Sequence, residues 1–83
     1  MQVRPALLHS DADPIWAILE PTIRAGETYT LPRNMPRQEA LGYWFAPHHE
    51  VFAAQEEAQI VGTYFLQANQ QGDVRAAALL VGL

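Results

Sequence analysis

Eighty-three residues make at most one domain, and a chain this short buries only about 60–65% of the surface that its unfolded form exposes. A hydrophobic fraction of 49% with 17% charged residues excludes a disordered polymer, and the absence of cysteine excludes a disulfide framework, a thiolate zinc site and a cysteine nucleophile. The net charge of -4, with five scattered arginines and no lysine, argues against a nucleic-acid binder, which would concentrate basic residues on one face.

The chain opens on Val3-Arg4-Pro5-Ala6, a short extended segment, because the residue before a proline is pushed out of the α region. A first strand is expected there, ending near Leu7, with Pro5 at an edge or a strand end. Ser10-Asp11-Ala12-Asp13 then matches the Ser/Thr-x-x-Asp/Glu capping box. Beyond it Ile15, Ile18, Leu19, Thr22 and Ile23 recur at helical spacing and form one mostly apolar stripe. The expectation is a helix over Asp11–Ala25, with Pro14 tolerated in its first turn, a bend near Glu20-Pro21 and Gly26 as its stop.

Gly26–Pro36 is a loop by composition, carrying Thr28, Tyr29 and Thr30. A second, shorter helix opens at Pro36 or Arg37 and runs to about Phe45, with Ala40, Leu41, Trp44 and Phe45 at compatible spacing and Pro47 beyond its end. The stretch His49–Asn69 reads as an antiparallel hairpin. Glu50–Gln55 is its first strand, Glu56-Glu57-Ala58 its turn, and Gln59–Gln67 its second strand, rich in β-branched and aromatic residues. Strict alternation puts Ile60, Gly62, Tyr64 and Leu66 on one face and Val61, Thr63 and Phe65 on the other. A strand apolar on both faces calls for a layer on each side. Gln70–Asp73 forms a turn. Val74–Leu83 suits either a third antiparallel strand or a frayed helical end, and the tight return at Gly72-Asp73 favours the strand. The order is strand, helix, helix, strand, strand and a further strand: a mostly antiparallel sheet with the two helices packed on one face, in the α+β class.

Several of these segments resemble a known family. The opening Val3-Arg4-Pro5-Ala6, the helix led by Asp11-Ala12-Asp13 and the strand opened by Ile60-Val61-Gly62 resemble the N-terminal half of GNAT-superfamily N-acetyltransferases. The stretch from Ile18-Leu19-Glu20-Pro21 through Gly26-Glu27-Thr28-Tyr29, then Glu39-Ala40-Leu41 and Tyr43-Trp44-Phe45, looks like one bacterial branch of that family. The resemblance covers roughly Gln2–Asn69, and residues 70–83 form a divergent tail on a single, incomplete domain spanning 1–83. It implies acetyl transfer from acetyl-CoA to a small-molecule amine, by attack of the amine on the thioester carbonyl. It also implies a coenzyme loop of the form Gln/Arg-x-x-Gly-x-Gly/Ala with a helix behind it, whose amides hold the pyrophosphate. Only Gly72 and Gly82 come after Asn69, and no such loop occurs. A truncated gene product, or a reading-frame slip after about Gly72, would give this pattern. The chain is therefore expected to be inactive alone and to hold no cofactor tightly.

By the same resemblance, Glu27, Thr28 and Tyr29 fall in the loop that helps to form the acceptor pocket, with Glu27 drawing the ammonium and Tyr29 walling it in. Tyr64 would face the cleft. Each has a plainer role: Glu27 as a helix-terminal carboxylate, and the tyrosines as packing residues with a wet hydroxyl. The polarising amide, the acid and the base of the family reaction lie on parts that have no counterpart here, so no catalytic residue is assigned.

His48-His49 with Glu50 invites a metal or general-base role, but neighbours on a strand point to opposite faces and no third ligand has useful spacing. A solvated loop end is the expectation, and His9 has no visible partner. Trp16, Trp44, Tyr43 and Phe45 are expected in the core, or in an apolar patch if nothing covers them. No apolar run spans a bilayer and no signal pattern opens the chain, so a cytoplasmic location without nucleic-acid or membrane partners is expected. A non-catalytic α+β fragment that self-associates, or binds a partner, through an exposed strand edge and an apolar patch is the alternative from another functional class.

Overall fold

Apolar periodicity places the helices and strands along the chain, and their pairing produces one antiparallel sheet under two helices. The computed structural model describes residues 1–27, 31–68 and 74–80; for 68 and 74–80 the description is of the backbone. Strand β1 (Gln2–Pro5) leads into helix α1 (Leu8–Arg24) and helix α2 (Arg37–Trp44). Strands β2 (His49–Glu56), β3 (Gln59–Ala68) and β4 (Val74–Leu80) complete the chain order. The sheet order is β1-β2-β3-β4, and every neighbouring pair is antiparallel. The expected α+β class and element order are therefore observed. Residues 70–73 and 81–83 of the expected turn and tail lie outside the described residues.

The apolar stripe of α1 does what its spacing predicts. Ile15, Ile18, Leu19 and Ile23 are buried. Ile15, Leu19 and Ile23 join Ala40, Leu41 and Trp44 of α2, and Val51 and Phe65 of the sheet, around one core. Pro5 ends β1, which is an edge strand, so its missing N–H costs no ladder bond in a sheet interior.

Three expectations are corrected. First, α1 starts at Leu8, not at Asp11, and Ser10 is not its cap. The carboxylate of Asp11 instead accepts the backbone N–H of Leu7 at 2.7 Å, reaching back over the first turn. Second, Pro14 therefore lies well inside the helix, yet α1 runs unbroken through it and through Pro21. The carbonyls that each proline leaves without a helical donor belong to Ser10 and Ala17, both exposed residues. Water access there lowers the cost of both interior prolines.

Third, the hairpin register shifts between Ala54 and Gln55. Gln55 opposes Ile60, Ala54 opposes Gly62, and Val61 is the extra residue of a β-bulge. The bulge moves Ile60 off the face of Tyr64 and Leu66, so that it lines a cleft shared with Ile18 of α1. Both helices pack on one face, as the expected α+β layout has it, so neither supplies a layer for the other face. Val51, Ala53, Thr63 and Phe65 are buried beneath them, whereas Phe52, Tyr64 and Leu66 on the opposite face are half-buried.

The helix ends obey local chemistry. Gly26 has φ +73°. Its N–H donates to the Ile23 carbonyl at 3.0 Å, and that of Glu27 donates to Thr22 at 3.2 Å, which is a Schellman closure. The hairpin turn holds Glu57 at φ 55°, a left-handed conformation uncommon for a residue with a side chain. A bond from Gln55 Nε2 to the Glu57 carbonyl, 2.8 Å, braces it.

Candidate functional sites

Of the expected acceptor residues, the two that are described, Glu27 and Tyr64, are not gathered in one place. Glu27 is exposed where α1 closes, within the helix layer. Thr28 and Tyr29 lie outside the described residues. Tyr64 sits on the face of the sheet turned away from the helices, opposite Phe52 in register, with the two rings stacked at 5.1 Å and 17°. Glu27 and Tyr64 thus belong to different sides of the sheet.

Two arginines tie the end of α1 to the segment that leads into α2. Arg24 Nη1 donates to the carbonyls of Arg33 and Met35, each at 2.8 Å, and Arg33 Nη2 donates back to Ala25 at 3.0 Å. Arg24 also lies over the Trp16 ring at 5.6 Å. Gly26 suits its left-handed φ, and a Cβ there would displace the guanidinium of the exposed Arg33, whose Nε would stand 2.5 Å away.

His48 is an exposed turn residue, as expected, whereas His49 takes a position that the sequence did not predict. His49 stacks on Phe65 with ring centroids 3.8 Å apart and 10° between planes. Its Nδ1 is 3.1 Å from the carbonyl of Trp44, the last residue of α2. It therefore serves an orphan carbonyl at the helix end, as a donor in the Nδ1–H tautomer. Phe65 is also met edge-on by Trp44 at 4.8 Å and by Tyr43 at 6.1 Å. His48 and His49 are 4.3 Å apart, but among the described residues no three His, Cys, Asp or Glu groups converge to hold a metal.

Two clefts flank the start of α1. One lies between α1 and the β2–β3 turn, about 450 Å³ in volume, with Ile18 and Ile60 on its walls and Arg4, Asp11 and Gln55 beside it. Arg4 grips Asp11 with two parallel bonds of 2.8 and 3.0 Å, and its Nε donates to Gln55 Oε1 at 2.8 Å. Asp11 is 4% exposed. The Arg4 hydrogen bonds hold its carboxyl below the usual carboxylate value, aided by the Leu7 N–H, against the opposing effect of burial. These polar groups satisfy one another and tie β1, α1 and β2 together.

The other cleft is about 530 Å³ and runs between Leu8 and one side of α2, lined by Arg37, Gln38, Leu41, Gly42 and Phe45. Its surface is almost wholly apolar apart from the Arg37 and Gln38 side chains. Arg37 pairs with Asp13, which is itself well exposed.

Compared with protein-family models, curated proteins and solved structures, the chain matches none. No described helix is long and apolar enough to cross a membrane.

Proposed function

We propose that this chain carries the acceptor-side half of a GNAT-type N-acetyltransferase fold. The observation that carries the proposal is topological. Both helices fall between the first two strands, and the strands then continue in simple antiparallel order, β1-β2-β3-β4. That is the arrangement the sequence resemblance implies for the first half of such an enzyme, which would pass an acetyl group from acetyl-CoA to a small amine.

The described residues do not fit the coenzyme. A pyrophosphate needs free amides at a helix start or in a glycine loop. The first turn of α1 already holds the Asp11 carboxylate, and the first turn of α2 contains Glu39. The Gln/Arg-x-x-Gly-x-Gly/Ala loop does not occur in the 83 residues. No catalytic step is therefore assigned to this chain. Glu27 and Tyr29 remain the residues proposed to meet the amine.

Mixing the chain with a second polypeptide that supplies the coenzyme loop and the strands beyond it provides the test. The expected result is retention of the mixture on immobilised coenzyme A, acetylation of a small-amine panel, and neither from the chain alone. No retention and no acetylation in the mixture would overturn the proposal.

The half-buried Phe52, Tyr64 and Leu66 favour a second reading, in which this fragment self-associates through its uncovered face and sheet edge. Light scattering after size exclusion separates the two: a monomer at micromolar concentration rejects self-association.

A further inference from the structure

We propose that the cleft between Leu8 and α2 is a binding site for a small amphiphile with an apolar body and an anionic head, a medium-chain carboxylate being the simplest member of that class. The cleft is about 530 Å³, within the range of small-ligand pockets. Leu8, Leu41 and Phe45 give it apolar walls, and Arg37 and Gln38 are the polar residues at its edge. An anionic head can compete with Asp13 for the Arg37 guanidinium, which an uncharged apolar ligand cannot. A cation would meet Arg37 as a like charge.

Gly42 makes the cleft more than a surface irregularity. It occupies the interior of an eight-residue helix, where glycine is among the least favourable residues. Glycines in such places usually serve a left-handed turn or a close approach of another element. Neither applies. Gly42 is helical, and a Cβ built on it would meet nothing within 4 Å. An alanine would fit and would strengthen α2. What the missing side chain provides is open space in the cleft, which Gly42 lines.

The charge arrangement agrees. Arg37 is half-exposed and pairs with Asp13, whose side chain is 83% exposed. A surface pair of this kind is weak and exchanges readily, so an incoming carboxylate can take the guanidinium from Asp13. The guanidinium would then clamp the head while the chain lies along Leu41, Gly42 and Phe45. This site does not depend on the acetyltransferase proposal, because it uses neither the loop after α1 nor the coenzyme.

The test is a titration of the full chain with decanoate, decanol and decyltrimethylammonium below their micellar concentrations, monitored by amide NMR and calorimetry. Saturable shifts are expected at Leu8, Leu41, Gly42 and Phe45, with the carboxylate binding about tenfold tighter than the alcohol. Arg37→Gln should abolish that preference, and Asp13→Asn should enhance it. Gly42→Leu should eliminate binding, while Gly42→Ala should raise the melting temperature by about 2–8 °C. Should Gly42→Leu fail to fold, the map on the unmodified chain decides. Shifts centred on Gln59 and Ile60 instead, no saturation, or equal affinity for the three head groups would each overturn the proposal.

Discussion

The two faces of the sheet are built from alternate residues of the same strands, yet they end in different environments. Val51, Ala53, Thr63 and Phe65 are closed off by α1 and α2, and Ala53 and Thr63 are 0% and 1% exposed. One step along each strand, Phe52, Tyr64 and Leu66 look the other way and remain half-buried. Side-chain hydropathy does not separate the two sets, since aromatics occur on both. Topology separates them. Both helices sit in a single connection, between β1 and β2, and one crossover delivers its helices to one side. An apolar strand face states a need for cover, and only the order of elements says whether the need is met.

The largest expected effect breaks the covered face. Phe65→Ala removes the ring on which Trp44 and His49 pack, and should cost about 3–5 kcal/mol, enough to unfold much of a domain this small. Tyr64→Ala, one residue away on the open face, should cost only about 1 kcal/mol. Urea denaturation of the two variants measures the contrast directly, and equal losses would show that the open face is covered in solution.

Next comes the part-buried pair at the rim of the covered face. Asp11→Asn should destabilise the chain near neutral pH, because Arg4 loses its charged acceptor. The acid limb carries a sharper signature. The folded carboxyl titrates below its ordinary value of 3.8, so the native state takes up a proton less readily than the unfolded chain. The stabilisation is fully present above the unfolded value and is lost as pH falls through the folded one. Melting temperature against pH should therefore fall in acid for the parent chain and be flatter for Asp11→Asn.

A smaller effect tests the polar seam inside the covered face. Trp44 Nε1–H donates to Thr63 Oγ1 at 3.1 Å, and that hydroxyl donates to the Phe52 carbonyl at 2.8 Å. Thr63→Val keeps the volume but strands a buried indole N–H, and should cost about 1–2 kcal/mol. Indole exchange by NMR should quicken in the variant. The smallest effect has the opposite sign. Glu57→Gly relieves a left-handed turn residue that belongs to neither face, and should stabilise by about 0.5–1 kcal/mol, read as a higher denaturation midpoint.

Much of this architecture is legible in the sequence wherever the signal is local. The stripe from Ile15 to Ile23, Gly26 as a helix stop and the short turn after Glu56 need only neighbouring residues for their recognition. The features that escaped depend on distant partners. The start of α1 at Leu8 is set by Asp11, which Arg4 and the Leu7 amide hold, so the capping pattern at Ser10 pointed three residues too late. The bulge at Val61 is a property of pairing with Ala54 and Gln55, and without it Ile60 is assigned to the wrong face. His49 offers no sequence cue as a helix-end partner, because the carbonyl it meets lies across a turn. The cleft beside Gly42 had one available signal, a glycine inside an otherwise helical run. Of the acceptor candidates, Glu27 and Tyr64 are adjacent neither in sequence nor in space.

The pairing of Pro5 with Phe52 has a kinetic consequence. β2, β3 and β4 succeed one another as a meander, whereas β1 reaches its partner only after both intervening helices have been laid down. The entropy of closing so long a loop is repaid by four residue pairs and by the grip of Arg4 on Asp11. Nucleation therefore belongs to the meander, and β1 joins late in folding and leaves early in unfolding. Native-state amide exchange should find the β1 ladder opening at lower free energy than the ladder between Val51 and Phe65, which makes the N-terminal strand the detachable stave of this sheet.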